Sequence, residues 1–152
     1  MDEVVSEVDI PEFLIPLRHE TGNEVAGMLC IDRDDFQGNC TVTLRSPVTE
    51  ATATDSDAFD AFCQIRKLIE RQGWRAICYG ASLNCWCGGF CRSMANGRKV
   101  YRLTMGQHTT TNDVLGTFES GPDVIPATFA EQERYFEQWL QSPKPPFDGL
   151  VE

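Results

Sequence analysis

No stretch of this sequence approaches the roughly 18 apolar residues that a membrane-spanning helix needs, so no span is expected. The opening run MDEVVSEVDIPEF has neither a positive segment nor an apolar core, so it does not read as a signal peptide. Positive charge is scarce: Lys and Arg number 13 against 23 Asp and Glu, a net charge of −10. A surface of that sign repels phosphate backbones and anionic headgroups, which disfavours nucleic-acid and membrane partners. It suits a basic protein partner, and it also keeps a chain in solution. Histidine is limited to His19 and His108, isolated from each other and from obvious ligand partners. Neither a G-x-S-x-G elbow, an H-E-x-x-H zinc helix, a phosphate loop nor a G-x-G-x-x-G turn occurs. Asp32, Asp34 and Asp35 share one turn, but the ordered calcium-loop spacing is missing. Internal repeats and coiled-coil heptads are also lacking.

What remains is 152 residues, enough for one domain with one core, at 41% apolar and 24% charged. Residues 1–9 and the proline-rich 143–152 read as loose tails. The seven cysteines are an odd set in a chain without an export signal, so reduced thiols and a cytoplasmic location are expected. Cys30, Cys40, Cys63 and Cys78 fall inside apolar patterns and read as small core residues.

Alternation at Phe13, Ile15 and Leu17, with Pro11 and Pro16 beside them, predicts an edge strand. The near-continuous apolar run 25–32 predicts a central strand, and Cys40, Val42 and Leu44 a half-wet one. The Thr-rich stretch 46–54 reads as a polar connection. Apolar residues from Ala58 to Ile69 at three- and four-residue spacing predict a helix over 55–72, stopped by Gly73. Strands are expected at 74–80 and 99–105, joined by a long loop at 81–98, with a helical turn at 114–118. Thr128 and Glu131 have capping-box spacing at the head of a helix over 127–141. The order βββ-α-ββ-α predicts an α+β domain, mainly one antiparallel sheet with two helices on one face. The other face would be wet or a contact surface.

The segment 80–98, GASLNCWCGGFCRSMANGR, is the most unusual. Three cations between Arg92 and Lys99, set among glycines, could receive an anion, with Asn84 and Ser93 to orient it. Trp86 could anchor a partner. Asn84, Trp86, Arg92, Ser93 and Arg98 are therefore the binding candidates. The bland reading is a hairpin tip in which Asn96-Gly97 merely makes the turn. Cys85, Cys87 and Cys91 are an alternative metal set, but Cys-x-Cys-x3-Cys lacks the paired spacing and fourth ligand of structural zinc. A thiol nucleophile would need a base that sequence spacing does not supply.

The run YGASLN at 79–84, RKVYRLTMGQ at 98–107 and ESGPDVIPATFAEQERYFEQWLQS at 119–142 together resemble small uncharacterised bacterial proteins. In those, a YGAS-like strand end is followed by an LT-x-G strand and a D-V-x-P-A-T capped helix. The resemblance covers roughly the second half of the chain and carries no activity. In such proteins other residues stand where Cys85, Cys87 and Cys91 stand here. The small acidic α+β format is similar to that of toxin-immunity proteins. The expected function is thus a non-enzymatic, acidic protein-binding module without a cofactor, engaging a basic partner, with a homo-oligomer as a further form. An anionic-ligand binder or enzyme using 80–98, and a Cys-ligated metal protein, are the alternatives.

Overall fold

The computed structural model describes residues 10–146, so the expected tail at 1–9 and the end of the second at 147–152 lie outside the described residues. Alternation does its expected work in β1 (Glu12–His19), β2 (Glu24–Asp34) and β3 (Asn39–Arg45). Ile15, Leu17, Leu29, Ile31, Cys40, Val42 and Leu44 all turn to one buried face. The stretch 46–54 is not a mere connection: Glu50–Asp55 forms β4, antiparallel to β3. Its small Ala51 and Ala53 face the core, while Thr54 and Thr52 meet Thr41 and Thr43 on the outside. The fifth strand, β5 (Trp74–Ala76), is shorter than the expected 74–80 and pairs antiparallel with β1. The sheet order is β4-β3-β2-β1-β5, so β1 is an edge only along its first half. Pro16 fits there because its carbonyl faces the β5 side and accepts from Ile77 N–H at 2.9 Å. Its missing donor faces the same side, away from the β2 ladder.

Helix α1 (Ala58–Glu70) lies against the buried face, in contact with β3, β4 and β5. Asp57 caps it, its carboxylate accepting from Asp60 N–H at 2.8 Å. Ala61, Phe62, Ile65 and Ile69 pack on the sheet. Phe59 and Cys63 point to a second cluster on the other side, so α1 is the middle layer. Gly73, at φ +87°, lets the chain turn, its N–H bonding Glu70 O at 3.0 Å.

The expected loop 81–98 is built. It contains a 3-10 turn at Tyr79–Ala81, strand β6 (Cys85–Trp86) and helix α2 (Gly89–Ala95). Strand β7 (Lys99–Arg102) stops short of the expected 105. The expected helical turn at 114–118 is strand β8 (Val114–Gly116), preceded by a capped 3-10 turn at Thr111–Asp113. These give a second antiparallel sheet, β6-β7-β8. Helix α3 (Phe129–Gln141) has the predicted capping box, Thr128 Oγ1 accepting from Glu131 N–H at 3.1 Å and Glu131 accepting from Thr128 N–H at 2.8 Å. That contact holds the Glu131 carboxyl below its ordinary range. The fold is thus α+β with two antiparallel sheets and three helices, α3 packing on β6 rather than on the large sheet. Residues 143–146 are held: Pro145 O lies 2.7 Å from His108 Nε2, and Lys144 sits 4.1 Å from the centre of the Trp139 ring.

Asn96-Gly97 is not a hairpin turn. Asn96 ends α2 in the left-handed region at φ 53°, and Gly97 follows at φ 77°. The pair seats the end of α2 on the start of α1, where Ala58 N–H donates to Asn96 O at 2.9 Å. A Cβ on Gly97 would stand 2.5 Å from Phe59 N, against backbone that cannot move aside. Gly97→Ala combines this clash with a disfavoured φ, and is expected to cost at least about 2 kcal/mol, read from the urea midpoint.

A buried polar cluster joins the layers. Arg66 of α1 is 1% exposed and donates to Gln132 Oε1 and to Ala127 O, with Glu70 at 3.8 Å. Gln132 of α3 then donates Nε2 toward the carbonyls of Gly80, Ser82 and Cys85, at 3.0, 3.0 and 2.7 Å. Ser82 Oγ accepts from Ile125 N–H at 2.9 Å, and Tyr79 OH donates to Asp123 at 2.6 Å. The residues YGAS and DVIPAT therefore bond one another and set the direction in which β6 leaves for Trp86.

Candidate functional site

Trp86, placed by β6, faces away from the core of the large sheet. Phe136 of α3 stacks on it with ring centres 4.8 Å apart and 11° between planes. Phe59 meets its edge at 5.2 Å, and Trp139 continues the row beyond Phe136 at 6.4 Å. α3 can supply both Phe136 and Trp139 because residues three apart share a helix face. The Trp139 indole N–H is fixed by Thr104 O and Gln107 O, each at 3.0 Å.

Trp86, Phe136 and Trp139 wall a pocket of about 260 Å³ completed by Gly88, Gly89, Phe90, Tyr101, Leu103 and Thr109. Among the described residues its lining contains no charged side chain. The volume is below the roughly 300–1,000 Å³ usual for small-molecule and cofactor sites, and suits a single inserted side chain. Phe90, 65% exposed, and Met94, 70% exposed, stand one turn apart on α2 and extend the apolar surface beyond the rim. Glu133 and Glu137, one turn before and one residue after Phe136, are exposed.

Of the five binding candidates, only Trp86 lines this pocket. Arg92 is half-buried and engaged: it pairs with Asp60 and with Asp57 at 3.4 Å, donates Nε to Cys87 O at 3.0 Å, and lies over the Phe59 ring. Asn84 Oδ1 accepts from Ser82 Oγ at 3.0 Å. Ser93 bonds back to Gly89 O at 3.1 Å. Arg98 lies over Phe13 and lines a separate groove of about 170 Å³ with Arg33, Asn96 and Asp32, a wall of mixed charge. Arg92 and Arg98 thus serve no common pocket. The pocket members that sequence reasoning missed are Phe90, Tyr101, Phe136 and Trp139. Phe136 and Trp139 stand three apart in the sequence of α3, a spacing that reads as the core face of a helix.

The thiols are internal. Cys85, Cys87 and Cys91 are buried around Phe59 and Val100, and no group of three or more His, Cys, Asp or Glu among the described residues could hold a metal ion. No disulfide joins any of the seven. Burial pushes Cys63 and Cys78 up to about 12 and Cys85 to about 11, and raises Cys87 as well. A thiol held protonated is a poor nucleophile. His19 sits between Thr21 Oγ1 at 2.8 Å and Gln72 O at 3.0 Å, at the end of β1. None of the helices among the described residues is long and apolar enough to cross a membrane.

No protein-family model matches this chain, and no curated protein matches its sequence.

Proposed function

We propose that this chain is a non-enzymatic protein-binding module whose aromatic pocket receives a lysine or arginine side chain of a basic partner. The observation that carries this reading is an uncharged pocket walled by Trp86, Phe90, Tyr101, Phe136 and Trp139 on a chain of net charge −10. Aromatic faces attract cations, most strongly where water is excluded. The chain's own cations already use rings in and beside the pocket, Lys144 over its Trp139 wall at 4.1 Å and Lys67 over nearby Phe129 at 4.5 Å. The acidic surface would steer a basic partner to the site and make the encounter salt-sensitive. The likeness in format to toxin-immunity proteins makes a basic toxin domain a natural partner to try.

The test uses a Lys-rich decapeptide and its fully acetylated form, followed by the indole N–H signals of Trp86 and Trp139. The basic peptide is expected to shift both signals, and to bind at least about tenfold more weakly when salt rises from about 20 to 200 mM. Phe90→Ala, at an exposed position, should weaken it about fivefold or more, in line with a lost cation–π contact. Absence of any shift at low salt, or equal binding of the acetylated peptide, overturns the proposal.

A further inference from the structure

The outer face of the large sheet breaks the usual pattern of an antiparallel sheet open to water. Outward positions of such a strand are normally polar. Here β3 and β4 obey, with Thr41, Thr43, Thr52 and Thr54 outward. β1 and β2 do not. Leu14 and Pro16 of β1 face outward beside Met28 and Ala26 of β2, their register partners. Leu14 is 67% exposed, and a shallow depression of about 350 Å³ opens beside it, lined by Pro16, Glu24, Val25 and Ala26. The helix that contacts this sheet, α1, lies on the opposite face.

Charge on this face is split along the strands. Beyond Pro16 and Ala26 comes the row of Glu24, Arg18 and Arg75, in which Arg18 and Glu24 pair at 3.0 Å. Beyond Leu14 and Met28 comes the row of Glu12, Cys30, Thr43 and Thr52. Arg18 thus stands toward one end of β1 and Glu12 toward the other, on either side of Leu14, Pro16, Met28 and Ala26, with Arg45 beside Met28 as its register partner.

We propose that this face is the contact surface of a homodimer in which two sheets stack face to face about a two-fold axis. The axis crosses the strands between the Leu14–Met28 row and the Pro16–Ala26 row. In that register Leu14 of one copy enters the depression of the other against Pro16, and Met28 covers Ala26. Arg18 of each copy comes over Glu12 of the other. A closed two-fold contact needs such a self-complementary patch, and sheets stack in this near-aligned way. β1 and β2 run side by side over the seven rows, with β3 and β4 beside them only at the Leu14 and Glu12 rows and β5 only at the Arg18 end, which makes the contact a small one against the roughly 800 Å² per partner of a standard interface. The net charge of −10 per copy opposes association, but at about 0.15 M salt the Debye length is roughly 8 Å. The overall repulsion is then screened while the contact is not. This inference is independent of the aromatic pocket.

Light scattering after size exclusion, at about 0.15 M salt, tests it on the full chain. The wild type is expected to elute as a dimer, at twice the chain mass of 17.1 kDa. Leu14→Asp, at an exposed position, should raise the dissociation constant at least a hundredfold and give a folded monomer with unchanged circular dichroism. Phe90→Asp, on α2, should remain dimeric. A monomeric wild type overturns the proposal. So does a dimer that survives Leu14→Asp, or one broken by Phe90→Asp alone.

Discussion

Replacing Gln132 with Leu is expected to remove about 3–5 kcal/mol of stability, a large share of what a domain of this size has. Gln132 is fully buried and links Arg66 to the carbonyls of Gly80, Ser82 and Cys85. Leucine fills similar space but bonds none of them. The Arg66 guanidinium then loses an acceptor while it stays buried, where burial already lowers its pKa. Removing one partner of a buried charge costs more than removing both, because an uncompensated charge is left. Arg66→Met with Gln132→Leu should therefore be less destabilised than the two single changes summed, by at least about 1 kcal/mol. Urea midpoints of the four proteins measure this. A Gln132→Leu cost under about 1 kcal/mol would mean that water or a rearranged 80–85 segment satisfies those carbonyls.

The cluster also shows why the second half of the chain was harder to read than the first. β1 to β3, α1 and α3 follow from local periods and caps, which a hydropathy pattern contains. The Thr128–Glu131 box is a contact between residues three apart, so its spacing was enough. β4 was hidden because Ala51 and Ala53 against Thr52 and Thr54 offer little contrast between faces, although Ala is small enough to fit under α1. The segment 80–98 is decided by distant partners. Tyr79 is held by Asp123, Ser82 by Ile125, and Gly97 by the head of α1. α2 opens on two glycines without a capping side chain, so nothing local announces it.

The same distinction governs the candidate site. Three cations in eight residues suggested an anion receptor, yet Arg92 is committed to Asp57 and Asp60, 35 and 32 residues away. Trp86 stood out as a tryptophan between two cysteines. Its pocket became definable only once the register of α3 set Phe136 against it. The YGAS and DVIPAT residues turn inward to one another, while the pocket is walled by Trp86 and Phe90 together with Tyr101, Phe136 and Trp139 of the resembling runs.

Alkaline pH is expected to unfold this protein steeply, and the thiols are the reason. Burial holds Cys63 and Cys78 up to about 12 and Cys85 up to about 11, against roughly 8.5 for a thiol in an unfolded chain. Arg66, near Cys63 and Cys78, pulls the other way but less strongly than burial pushes. Below about pH 8 all three are protonated in both states, and their contribution to stability is complete. Above that, the unfolded chain releases protons that the folded chain retains, so stability falls as pH rises. Each such thiol removes about 1.4 kcal/mol per pH unit, and with Cys87, which burial also raises, four remove about 5–6. Against a total of roughly 5–15 kcal/mol, the fold should be lost within about two or three units above pH 8.5. Tyr79, raised by its bond to Asp123, adds to the same trend. Tryptophan fluorescence and urea midpoints across this range measure the slope. Cys78→Ala separates the causes: removing one of the four most strongly raised thiols should reduce the slope by about a quarter above pH 9, whatever it costs at neutral pH. A stability flat to pH 10.5 would show that these thiols ionise in place, and that the interior around Cys78 admits charge.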